Sequence, residues 1–302
     1  MKVLLASSSL LAIPTLEFIS RADLKFLGII SMPDAPQGRG RVIAENSFAA
    51  KARDLGIQVF KPRNHDELFN LLTSTNADLV ITISYGRLIR SRELATPKYG
   101  WLNIHFSLLP RWRGAAPAQR AIEAGDIKTG VTVFKLDEGL DTGPIYSIAE
   151  YEMRGDEDSQ SLLEKLSTLS TLPLSKAIEM ISMNIQPTSQ GEEGSSTAPK
   201  LSKEEGRLNW NYPNVELERK IRAFSPWPTT WTQLGDSRIS ILKARVSSEK
   251  LSPGSIMADQ VLIVGCGEGS LEILSLKPEG KREMTAAEWL RGARLKPDSF
   301  FQ

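Results

Sequence analysis

Three residues stand out by type and spacing: Asn103, His105 and Asp141. Asn103 and His105 lie two positions apart in Asn103-Ile104-His105-Phe106-Ser107-Leu108-Leu109-Pro110, between an apolar run and a proline-ended loop. Asp141 follows in Leu140-Asp141-Thr142-Gly143. An amide donates hydrogen bonds, an imidazole donates or shuttles a proton, and a carboxylate can hold that imidazole in one tautomer or raise its pKa. The trio suits a reaction in which a carbonyl gains negative charge while an attacking nucleophile loses a proton. It calls for neither a metal nor a covalent nucleophile. The residue types alone leave a plainer reading open. A histidine after a strand can be a structural hydrogen-bonder, and an aspartate before Thr-Gly is often a turn residue.

The elements that must position these groups are legible around them. Lys2–Ala6, Phe26–Ile30, Ile57–Phe60, Leu79–Ser84 and Trp101–Ile104 read as near-continuous aliphatic strands, the pattern of parallel strands covered on both faces. Ser47–Leu55 and His65–Ser74 read as helices between them, the second with Asn64 as N-cap. Ala116–Ala124 reads as a helix with Pro117 in its first turn. Val131–Leu136 and Ile145–Tyr151 read as further strands, and Asp158 opens a long helix reaching Met183. This rhythm predicts an α/β fold with an open, doubly wound, Rossmann-like sheet. Ligands bind such sheets beyond the carboxyl ends of the strands, where His105 and Tyr85-Gly86 both fall. No GxGxxG follows the first strand, so a dinucleotide is not expected.

Residues 186–200 (QPTSQGEEGSSTAPK) are small, polar and punctuated by two prolines, a linker composition. The expected division is a catalytic domain over 1–186, a linker over 187–206 and a second domain over 207–302. In the latter, Asn214–Phe224 reads as a helix. Trp231–Leu234, Ile239–Arg245, Gly254–Met257, Gln260–Val264 and Leu271–Leu276 read as short strands. Thr285 and Glu288 form a capping box for a last helix. Short strands at this spacing predict a small OB-like β-barrel.

Composition sets bounds. The chain has 302 residues, 41% hydrophobic and 24% charged, as in ordinary globular proteins. No apolar run reaches the roughly 18 residues of a membrane span. The opening MKVLLASSSLLAIP is broken by Ser7, Ser8 and Ser9, and reads as a buried strand running into a helix rather than a signal peptide. One cysteine, Cys266, excludes an internal disulfide and points to a reducing, cytoplasmic setting. Its place at a strand end suggests an inert thiol. Net charge is +1, which argues against non-specific coating of nucleic acid. The excess is local, since Arg207 to Arg245 holds seven basic and three acidic side chains. Trp210, Trp227 and Trp231 lie in that region and are expected mainly as core or packing residues. No coiled-coil pattern demands a partner chain, so a monomer is expected.

Asn103 to Pro117, NIHFSLLPRWRGAAP, together with the later Leu-Asp-Thr-Gly, resembles the signature of the formyltetrahydrofolate-dependent formyltransferase family. The resemblance covers nearly the whole chain. It implies 10-formyltetrahydrofolate as formyl donor, held near Tyr85, Gly86, Ser107, Leu108, Leu109, Pro110 and Asp137. It implies that Asn103 and His105 donate to the developing oxyanion. Asp141 would orient His105, favour its protonated form and help carry the amine proton away. Pro33–Arg41, PDAPQGRGR, is similar to the family loop that grips a tRNA acceptor arm, with Arg39 and Arg41 as the contacts. LSKEEGRLNW (Leu201–Trp210) and RAFSPWPTTW (Arg222–Trp231) resemble family segments of the second domain. Together they imply initiator methionyl-tRNA as acceptor, and formylation for translation initiation.

The chain departs from the family pattern at Ala6-Ser7-Ser8-Ser9, at Phe106, after Tyr85-Gly86 and at Val42 and Glu45-Asn46-Ser47. The same trio would also serve a formyltransferase for the amine of a sugar nucleotide, or a formyltetrahydrofolate hydrolase. A tRNA-binding module without catalysis is the reading outside the enzymes. The intact trio speaks against it.

Overall fold

The computed structural model describes residues 1–302 apart from Gly38, Arg39, Pro297 and Asp298. The expected contact Arg39 therefore lies outside the described residues. In chain order the first elements are β1 (Lys2–Ser7), α1 (Ile13–Arg21), β2 (Lys25–Ile30), β3 (Ala35–Gln37), β4 (Val42–Ala44), α2 (Ser47–Asp54), β5 (Val59–Phe60) and α3 (His65–Thr75). They continue as β6 (Leu79–Ile83), α4 (Ser91–Leu94), β7 (Trp101–His105), β8 (Arg113–Gly114), α5 (Pro117–Ala124), β9 (Lys128–Lys135), β10 (Ile145–Glu152), α6 (Ser159–Leu169), α7 (Thr171–Ser182) and β11 (Thr197–Ala198). After them come α8 (Asn214–Ala223), β12 (Thr230–Leu234), β13 (Ser237–Ser247), β14 (Ile256–Ala258), β15 (Leu262–Gly265), β16 (Ser270–Pro278), β17 (Met284–Thr285) and α9 (Ala286–Leu290).

The chain forms two compact units that are not contiguous in sequence. One comprises residues 1–117, 128–152 and 163–197; the other comprises 118–127, 153–162 and 198–302. The first is built on a seven-stranded sheet of order β10-β9-β7-β6-β1-β2-β5. Strands β5, β2, β1, β6 and β7 run parallel, while β9 and β10 close one edge antiparallel. Order reverses across β1, which leads to β2 on one side and has β6 on the other. The carboxyl ends of β1 and β6 thus form the topological switch point of a Rossmann-like sheet. Leu4, Leu5, Leu79, Val80 and Ile81 have no exposed surface, because helices cover both faces. Asn64 caps α3 as expected, its side chain accepting from the Glu67 amide.

One expectation changes. The single helix from Asp158 to Met183 is two helices, interrupted at Ser170. Pro173 has no N–H for the Leu169 carbonyl, and its ring crowds the preceding turn, so the helical ladder breaks there.

The second unit carries a six-stranded antiparallel sheet of order β12-β13-β16-β15-β14, with β17 on β16. It is a curled half-barrel. Its core packs Leu217, Ile221, Ile241, Leu262, Leu271, Trp289 and Phe301. Trp210 belongs to that core, stacked on Phe301 with its indole N–H on Thr232 Oγ1. Trp227 differs from the expectation of burial, being 50% exposed. The Thr285–Glu288 capping box forms as read. Cys266 is buried and its thiol pKa is pushed up to about 12 by that burial, consistent with an inert thiol.

Candidate active site

Strand β7 delivers Asn103 and His105 to one face of the sheet, since side chains alternate along a strand. Asn103 pairs with Thr82 of β6 and Phe134 of β9, and His105 with Thr132 of β9. Asn103 is half-buried, and among the described residues its amide has no hydrogen-bond partner. His105 is only 5% exposed and meets the Phe134 ring edge-on at 6.4 Å. Its Nε2 lies 2.9 Å from the Trp112 carbonyl, and its Nδ1 lies 3.7 Å from Asp141 Oδ2. Asp141 Oδ2 also accepts from the Gly114 amide at 2.7 Å. The structure thus brings His105 and Asp141 together, with Asn103 on the same strand two residues from His105.

The hydrogen bonds assign the tautomer. A carbonyl can only accept, so the proton sits on Nε2 and the neutral ring offers a lone pair at Nδ1, towards Asp141. Donation to an oxyanion beside Asn103 was expected of His105, yet the only N–H of the neutral ring is already used by Trp112. At 3.7 Å, Nδ1 and the carboxylate are too far apart for a direct hydrogen bond, yet close enough for one proton-bearing group beside them to reach both. Burial pushes the His105 pKa below its ordinary 6.5, while the Asp141 charge and the Trp112 carbonyl pull it back up. Burial wins, so the ring is neutral at neutral pH and able to accept a proton.

A titration follows from this. The chain has two histidines, so His65→Gln leaves one imidazole signal for NMR. That signal should titrate below pH 6.5; a midpoint at or above 6.5 would contradict the burial argument. The same depression makes the unfolded chain bind the proton first. Stability should therefore decline as pH falls below the unfolded value of about 6.5.

The loop after β7 is braced from β9. Thr132 Oγ1 donates to the Ser107 carbonyl at 2.7 Å and accepts from the Leu109 amide at 3.1 Å. Ser107 Oγ donates to the Arg111 carbonyl at 2.6 Å. Ser107 and Leu109 are buried, whereas Leu108 and Pro110 are half-buried. Gly86 follows β6 with φ 82° and is exposed. The Tyr85 ring instead packs among Leu4, Ile30, Leu68 and Trp101, and burial pushes its hydroxyl up to about 12. That hydroxyl has no partner among the described residues. Asp137 shapes its own loop, accepting from Thr142 Oγ1 at 2.9 Å and the Gly139 amide at 3.0 Å. The Ser91 hydroxyl donates to Glu138 and so ties this loop to the segment after β6. Each of the tied segments exposes a leucine, Leu88 at 78% and Leu140 at 66%.

Arg41 is exposed, with φ 49°, in the turn of the β3–β4 hairpin. In the second unit the basic excess is smaller than its count. Arg222 is paired with Glu218 and Arg245 with Glu272. Arg207 and Arg238 instead flank the Trp231 ring at 5.7 and 4.1 Å. Sequence reasoning missed the Trp112 carbonyl, Gly114 and the residues that anchor them. Main-chain contacts carry no signal of residue type.

A formyl transferase model matches residues 12–178, and a model described as formyl transferase, C-terminal domain, matches residues 200–294. A methionyl-tRNA formyltransferase of Arthrobacter sp. (strain FB24) is 37% identical, with 97% of each chain covered. Among solved structures, the N-formyltransferase from Helicobacter canadensis in complex with folinic acid and dTDP-3-aminofucose has a TM-score of 0.69 at 18% identity, covering 94% of this chain and 100% of that one. HypX from Aquifex aeolicus in complex with tetrahydrofolic acid has a TM-score of 0.66 at 18% identity, covering 99% of this chain and 50% of that one. These two likenesses speak for the fold.

Proposed function

The chain belongs to the formyl transferase family, and on that premise we propose that it moves the formyl group of 10-formyltetrahydrofolate to the α-amine of methionine on initiator methionyl-tRNA. The observation that carries the acceptor is the 37% identity to a methionyl-tRNA formyltransferase across 97% of both chains. The enzyme acts in the cytoplasm, as a monomer, and supplies translation initiation. Catalysis is assigned mainly to residues 1–186 and tRNA binding mainly to 207–302, while 187–206, expected as a connection, divides between the two units at 197/198.

The folate donor supplies an activated formyl group on a nitrogen able to leave. The chain's own groups do the rest. The Asn103 amide donates to the formyl oxygen as negative charge builds there, a contact typically worth about 10²–10³ in rate. His105 Nδ1 accepts the proton that the attacking amine loses. The imidazolium so formed is held by the Trp112 carbonyl on one edge and the Asp141 carboxylate on the other. As the bond to N10 breaks, that proton passes to N10, so His105 returns neutral. Tyr85-Gly86, Ser107–Pro110 and Asp137 would border the folate, and the exposed Leu88 and Leu140 could offer it apolar contact.

The test is formylation by the purified protein with 10-formyltetrahydrofolate, offered initiator and elongator methionyl-tRNA side by side. Rapid formylation of the initiator alone is expected. Formylation of a sugar-nucleotide amine with neither tRNA modified, or release of formate with no acceptor formylated, would replace the proposal with a sugar-directed transferase or a hydrolase.

A further inference from the structure

We propose that Gln190 is a positioning residue that holds Asp141 at its working distance from His105. The inference rests on the catalytic reading of His105 and Asp141 and adds a residue from a stretch that looks like a spacer. Gln190 Nε2 donates to the Asp141 carbonyl at 2.9 Å and to the Gly143 carbonyl at 2.7 Å. Its Oε1 accepts from Arg113 Nε at 3.1 Å and from Nη2 at 2.9 Å. A guanidinium only donates and a carbonyl only accepts, so the amide has one possible orientation, and both of its ends are saturated. Arg113 is 9% exposed, so this contact also satisfies a buried charge.

The contacts close a ring around the imidazole. His105 Nε2 meets the Trp112 carbonyl. The next residue, Arg113, holds Gln190, and Gln190 holds the main chain of Asp141. The Asp141 carboxylate then faces His105 Nδ1. Both residues that grip the ring lie in the left-handed region, Trp112 at φ 66° and Asp141 at φ 55°. Residues other than glycine keep such a conformation where their surroundings impose it. Gln190 supplies that constraint for Asp141. Ser196 does so for Trp112, its Oγ accepting from the Trp112 amide at 3.0 Å and its carbonyl from the Arg113 amide at 2.8 Å. The stretch 190–196 is thus a clamp on the catalytic loops.

The experiment is Gln190→Glu in the full chain, alone and with His65→Gln for NMR. Glutamate keeps both acceptors for Arg113 but places an oxygen against the Asp141 and Gly143 carbonyls. The Asp141 loop should move away. A misplacement of about 1 Å costs on the order of 10² in rate, so kcat falls by roughly that factor while KM for both substrates stays within about twofold. Because the Asp141 charge raises the His105 pKa, its withdrawal shifts the His105 titration to lower pH. Unchanged kcat and an unchanged titration in folded Q190E would overturn the proposal. If Q190E does not fold, Gln190→Ser, which opens the bridge to water, is read by the same two measurements. If His105→Ala keeps full turnover, the reading of the site fails. The His105 titration in Q190E then still decides whether Gln190 positions Asp141.

Discussion

His105→Ala should lower kcat by on the order of 10²–10⁴ at saturating substrates, the usual contribution of a placed proton-transfer group. KM for folate and tRNA should move little, because the imidazole is buried and acts on the reacting proton rather than on either ligand's body. Asp141→Asn should cost less than this. The asparagine oxygen can still accept from the Gly114 amide, so the loop keeps its anchor, but the imidazolium loses its counter-charge. The order His105→Ala worse than Asp141→Asn follows from the 3.7 Å separation, too long for a direct hydrogen bond. Single-turnover formylation of initiator tRNA measures both. Near-wild-type turnover of His105→Ala would sink the assignment of the base.

Replacing Arg39 and Arg41 together with alanine should raise KM for tRNA roughly 10- to 100-fold and leave kcat nearly unchanged, given about 1.5–3 kcal/mol for a hydrogen bond to a charged group. The salt dependence carries the stronger diagnosis. Each lost phosphate contact lowers the slope of log affinity against log salt by about one, so the double variant should be flatter by up to about two. In the second unit, replacing Arg207 and Arg238 should flatten the slope more than replacing Arg222 and Arg245, whose charges are already neutralised by Glu218 and Glu272. An unchanged KM and slope for the Arg39/Arg41 variant would remove the hairpin from the tRNA interface.

Much of this protein was legible in its sequence because it rests on residue types. The aliphatic runs of β1, β6 and β7 report burial on both faces. Asn64 and Thr285 report helix starts, and the pairing of His105 with Asp141 could be anticipated from their residue types. What could not be read is carried by the main chain. The tautomer of His105 depends on the carbonyl of Trp112, which any residue would present. The β3–β4 hairpin is too short for its period to show. The break at Ser170 was overridden by a strong apolar pattern, although Pro173 marked it. Gln190 and Ser196 sit in a composition typical of spacers, and only their partners reveal the clamp.

The interleaving of the two units sets a timetable for synthesis. Residues 118–127 leave the ribosome early, yet the bulk of the unit they join begins at residue 198, about 70 residues later. At roughly 5–20 residues per second that wait is about 4–14 s. During it, the ion pair of Arg120 with Glu205 cannot form, so this helix completes its contacts only after the chain beyond residue 198 has emerged.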